Sequence, residues 1–137
     1  MFLPDGKHFL FSTQAATRSG DYYGSVYLSA LGATGNTLVV KVSSNIAYSN
    51  GYIIFVRQGI LVAQAIDPGS YALVGDAVPI SENVEYSIDK NKGVFTCSQN
   101  GVLIYQAGHA LNIQRLVVAK SGHLLERALP AGTRLCC

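Results

Sequence analysis

Three glycine-led strands constrain this chain more than any other feature of it. Gly6-Lys7-His8-Phe9-Leu10-Phe11, Gly51-Tyr52-Ile53-Ile54-Phe55-Val56 and Gly101-Val102-Leu103-Ile104-Tyr105-Gln106 share one pattern. Each is a glycine turn opening a short apolar run that carries an aromatic residue four or five positions on. The aromatics Phe11, Phe55 and Tyr105 recur at intervals of 44 and 50 residues. Glycine permits the backbone reversal, and a run of four to eight apolar or alternating residues after it reads as a strand. No segment carries a capped 3.6-residue period, so helices are not expected.

The segments between these runs supply further strands. Residues 8–13, 25–30 and 37–42 form a first meander, with residues 14–23 as a polar loop. Leu38, Val40 and Val42 share a face because side chains alternate along a strand. A second unit holds 46–48, 52–57, 60–66 and 77–80, where Asn50-Gly51 is a hairpin turn and Pro79 marks an outer strand. A third holds 94–97, 102–106, 115–119 and 123–127, and repeats the turn dipeptide at Asn100-Gly101. The chain is thus expected to be all-β: antiparallel meanders in units near 1–43, 44–91 and 92–127, followed by a divergent, flexible tail at 128–137. A period in this range fits a four-stranded propeller blade, so the units are expected to stand radially as about three adjacent β-propeller blades.

Composition matters where it bears on surfaces. Only 13% of the 137 residues are charged, against about 25% in ordinary soluble domains. Little polar material is left to cover a surface, so apolar surface is expected to meet a partner. The net charge of +2 and scattered lysines form no track for a phosphate backbone, which argues against nucleic acid. Of three cysteines, Cys97 reads as a small buried hydrophobe, and the adjacent Cys136 and Cys137 do not make a closed disulfide framework. No signal sequence and no membrane-length apolar stretch is visible, so membrane insertion is not expected.

Leu3-Pro4-Asp5-Gly6-Lys7-His8-Phe9-Leu10-Phe11 resembles the "SPDG" signature of WD40-like (PD40) repeats of the TolB type, with Leu3 in place of the usual serine. Tyr27 resembles the aromatic of the strand that follows. Ala65-Ile66-Asp67-Pro68 and the run from Phe95 to Tyr105 look like variant blades of large bacterial proteins, including serine/threonine kinases with a C-terminal propeller. The run from Leu116 to Leu125 is similar to the next strand and turn, although Val118, Ala119 and Lys120 depart from its aromatic and acidic members. The resemblance covers residues 2 to about 127 and implies propeller architecture but no kinase chemistry. It also implies a periplasmic or extracytoplasmic location for a longer relative; otherwise the chain is expected in the cytoplasm.

Candidate chemistry is sparse. No Gly-x-Ser-x-Gly elbow is present, and His8, His109 and His123 have no partner at motif spacing. Glu82 and Glu85 lie in a polar linker, Asp5 and Asp67 belong to turns, and the two glycines of Gly32-Ala33-Thr34-Gly35 lack the lysine of a phosphate loop. No catalytic, metal-binding or cofactor-binding residue is assigned. Tyr22 and Tyr23, read as exposed in a polar loop, are the candidate contact residues. The chain is therefore expected to be a non-catalytic interaction or scaffold module built from propeller-type repeats. A small-ligand or sugar-binding module and a hydrolase on a β-scaffold are the alternatives. Three blades would leave two uncovered faces, so self-association into a dimer is expected, alongside an unknown protein partner.

Overall fold

In the computed structural model, residues 1–20, 23–87 and 90–107 are described, together with the backbone of Tyr22 and of strands Arg115–Lys120 and His123–Ala128. Strands β1 (His8–Ala16), β2 (Tyr22–Ala30) and β3 (Thr37–Lys41) form a first antiparallel sheet. Strands β4 (Ile46–Ser49), β5 (Tyr52–Arg57), β6 (Ile60–Ile66) and β7 (Leu73–Ser81) form a second. A small ribbon of β8 (Tyr86–Ser87) and β9 (Lys92–Gly93) precedes the third sheet, made by β10 (Phe95–Cys97), β11 (Val102–Ala107), β12 (Arg115–Lys120) and β13 (His123–Ala128).

The all-β composition agrees with the sequence reading, but the β-propeller does not. The sheets are flat, open and separate, and none closes or curls with the others into a ring of blades. The three glycine signals also make different turns. Gly6 closes a turn by donating its N–H to the Leu3 carbonyl at 3.0 Å. Asn50 and Gly51 are both left-handed, with φ of 48° and 80°, as a two-residue hairpin requires. At the third site Gly101 is left-handed, and the Ser98 N–H donates to the Val102 carbonyl at 2.8 Å around a longer loop. The period therefore reports hairpin spacing, which any series of meanders shares, and does not fix how sheets are arranged around one another.

The second sheet is the centre of the core. β5 is buried at four successive positions, Ile53 to Val56, instead of at alternate ones. Ile53 and Phe55 face one way and join Leu10, Val26 and Val40 of the first sheet. Ile54 and Val56 face the other way and join Leu103 and Tyr105 of β11 with Phe95 of β10. An unbroken apolar run is what a strand covered on both faces needs. Each buried large side chain contributes about 1.5–3 kcal/mol of transfer free energy, so β5 ties both neighbours to itself.

The second sheet is entered through buried polar contacts. Ser44, 3% exposed, accepts the Val56 N–H on its hydroxyl oxygen at 3.0 Å and donates to the Asn45 carbonyl at 2.7 Å. Asn45 Oδ1 accepts the Gly93 N–H at 2.7 Å, linking the entry to β9. Ser44→Ala leaves a buried N–H without an acceptor and is expected to cost about 1–3 kcal/mol in urea unfolding. An unchanged midpoint would show that the hydroxyl is dispensable.

Several strand boundaries move relative to the sequence reading. β1 and β2 run on through Ala16 and from Tyr22, so Gln14–Ala16 and Tyr22–Tyr23 are paired strand and not loop. β7 begins at Leu73, four residues earlier than expected, because the ladder absorbs Gly75 at the register shift between Ala63 and Ala65. It is an edge strand, as Pro79 foretold.

Candidate functional site

The two faces of the first sheet are unlike. Leu10, Val26 and Val40 are buried against the second sheet. On the opposite face, the direct pairs Phe9–Ser29, Phe11–Tyr27, Thr13–Ser25 and Ala15–Tyr23 place their side chains together. Residues 1–3 extend this face by pairing beside β1. The Leu3 N–H donates to the His8 carbonyl and the Leu10 N–H to the Met1 carbonyl, each at 2.9 Å. Phe2 thereby meets Phe9 with ring centroids 5.6 Å apart, Phe9 meets Phe11 at 6.1 Å, and Phe11 stacks on Tyr27 at 5.7 Å and 23°. Leu38, opposite Tyr27 on β3, lies at the far side of the row; the register shift between Val26 and Tyr27 separates it from the buried Val40 and Val42, so the face expected to be shared by these three residues does not form.

No described sheet covers this row. Phe2 and Tyr23 are each 55% exposed and Leu38 is 44% exposed, while Phe9, Phe11 and Tyr27 between them are half-buried. Phe55 and Tyr105, the aromatics that recur with Phe11 in the sequence, are 0% and 6% exposed because a neighbouring sheet packs over each. The candidate contact residues thus come to lie on strand β2, with Tyr23 on the aromatic face; the Tyr22 side chain falls outside the described residues. Sequence reasoning singled out these two tyrosines and missed Phe2, Phe9, Phe11 and Tyr27. The period-two alternation of β1 was the available signal for Phe9 and Phe11.

A second cluster joins the first sheet to the second. Asp5 accepts the backbone N–H groups of Lys7 at 3.0 Å and His8 at 2.9 Å. Its other oxygen meets His8 Nδ1 and accepts the Tyr71 hydroxyl at 2.8 Å. The His8 and Tyr71 rings lie 4.8 Å apart. These donors, His8 foremost, hold the Asp5 carboxyl well below the usual carboxylate range. The same hydrogen bond to Asp5 pushes the Tyr71 phenol up. Every donor converges on one exposed carboxylate and no activated nucleophile faces it, so the cluster works as a clamp. A carboxyl whose pKa is depressed on folding contributes stability above its ordinary range and loses it as pH falls through the folded value. Asp5→Asn is expected to lower the melting temperature at neutral pH by a few degrees, with the deficit narrowing in strong acid. A deficit independent of pH in thermal scans would contradict the clamp.

The remaining candidates do not converge. Glu82 is exposed. The backbone of Glu85 donates to the Gln106 carbonyl and accepts the Val94 N–H, both at 2.8 Å. Asp67 caps its own turn through Gly69 and Ser70, which lowers its pKa. Cys97 packs beside the second core cluster with its thiol 3.4 Å from the Tyr48 carbonyl, and burial pushes its pKa up. His109, Cys136, Cys137, the His123 side chain and, apart from the Ala128 backbone, the expected tail at 128–137 lie outside the described residues. Among the described residues, no group of three or more His, Cys, Asp or Glu is placed to hold a metal ion. No helix among them is long and apolar enough to cross a membrane.

No protein-family model, no curated protein and no solved structure matches the chain. The resemblance to TolB-type repeats is corrected accordingly: its short turn motifs are those of β-hairpins in general, and the sheets they join stay open. The interaction or scaffold module inferred from propeller repeats loses its basis with them. The binding and hydrolase alternatives gain no site: the tyrosines are strand residues and no catalytic constellation is assembled among the described residues.

Proposed function

We propose that the chain works as a self-associating β-domain, with the aromatic face of the first sheet meeting the same face of a second copy. The row Phe2, Phe9, Phe11 and Tyr27 carries this reading, because it is a sheet face of core-like composition with no described sheet over it. Within the chain, sheet faces already pack on one another twice, through the two core clusters. A copy related by a two-fold axis offers an identical surface, and rows of aromatics can interdigitate in offset or edge-to-face contact. The low charged fraction of 13% fits an uncovered apolar face.

Light scattering behind size exclusion, over a range of concentrations and with reductant, tests the proposal. A discrete dimer that dissociates on dilution is the expected result. A 14.6 kDa monomer at every concentration, or a polydisperse aggregate, would contradict it.

A further inference from the structure

A cleft of about 350 Å³ opens where the end of β3 meets the β5–β6 hairpin. Lys41, the last residue of β3, and Arg57, the last residue of β5, both line it. Its apolar wall is Val42, Val56 and Tyr86, and no carboxylate among the described residues lines it. No ion pair joins Lys41 or Arg57 to a described residue, so neither cation is neutralised by a described neighbour. Arg57 is held with its guanidinium carbon 5.1 Å from the centroid of the Phe55 ring, and Phe55 is itself fully buried. Stacking fixes the plane of the fork and leaves its edge N–H donors for a ligand.

Turn chemistry shapes the rest. Gln58 and Gly59, between Arg57 and Ile60, are left-handed at φ of 52° and 79°, which makes the tight hairpin that brings Arg57 to the rim. The Tyr86 hydroxyl sits between the Ser43 carbonyl and Asn91 Oδ1, 3.1 Å from the latter, which anchors the ring in the wall.

From this arrangement we infer that the cleft is a binding site for a small organic monophosphate. Arg57 and Lys41 would take the phosphate, and Val42, Val56 and Tyr86 the organic part. Two cations match a dianion, and a planar guanidinium binds two phosphate oxygens at once. The cleft is at the small end of the range for ligand sites, enough for a phosphate and one ring. The residues are separated along the chain and form no basic run, which is why the sequence shows no anion site.

The test is a titration of the full-length protein with phenyl phosphate, followed by amide chemical shifts, with inorganic phosphate, benzoate and phenol in parallel. Saturable shifts confined to Val42, Ser43 and the Gln58–Gly59 turn are expected, strongest for phenyl phosphate and weakened by salt. Arg57→Gln is expected to weaken binding about tenfold or more, and Lys41→Gln severalfold. The pair Lys7→Gln and Lys92→Gln removes the same charge elsewhere and should change little. Benzoate binding as well as phenyl phosphate, equal losses in the control pair, or shifts spread over the surface would overturn the inference. Melting curves of each variant separate lost binding from lost folding. Dimer formation is read independently, so either proposal can fail alone.

Discussion

Phe55→Ala should lower the stability of the chain by about 3–5 kcal/mol, the largest effect expected of any single substitution among the described residues. Phe55 is fully buried and sits among Leu10, Val26, Val40 and Val62, at the seam of the first two sheets. Truncation removes the ring and leaves a cavity that flat, hydrogen-bonded sheets cannot close around. It also removes the surface on which Arg57 rests. The midpoint of thermal unfolding should fall by about 10 °C or more. Tyr52→Ala, on the same strand but 46% exposed, provides the contrast and should stay within about 1 kcal/mol. Similar losses for the two variants would mean that β5 is not the shared core strand described above.

The second large effect concerns association. Phe11→Ser combined with Tyr27→Ser removes the stacked pair at the centre of the aromatic row. Central aromatic anchors dominate the energy of interfaces, and each can account for 2 kcal/mol or more. The dissociation constant of the dimer should therefore rise by about a hundredfold or more, with the monomer still folded. Circular dichroism checks the fold and sedimentation velocity reads the constant. An unchanged dimer in a folded double variant would place the interface elsewhere.

The strands were legible in the sequence where side chains alternate or where apolar runs end in glycine. Tyr52–Arg57 and Ile60–Ile66 appear where they were expected, and Asn50-Gly51 makes the two-residue turn its chemistry favours. What local pattern could not encode is how sheets meet. The unbroken burial of Ile53 to Val56 requires a sheet on each side, yet the same run suits a stacked series of open sheets as well as a ring. Gln14 to Ala16 and Tyr22–Tyr23 read as loop because they border the polar segment 17–21 and carry no alternating apolar pattern, although their backbones are paired. The Asp5–Tyr71 contact spans 66 residues, and Lys41 reaches Arg57 only through the fold. Neither leaves a spacing to recognise. The aromatic face was partly visible, since Phe9 and Phe11 alternate with Leu10, but nothing in β1 says which side will be covered.

Hydroxyl-radical footprinting of the side chains, at concentrations below and above the association range, tests the central claim most directly. On association, oxidation should fall at Phe2, Phe9, Phe11, Tyr23 and Tyr27, while Tyr52, exposed on another sheet, keeps its reactivity. Protection at Tyr52 with none on the first sheet, or no change at any ring, would contradict the account.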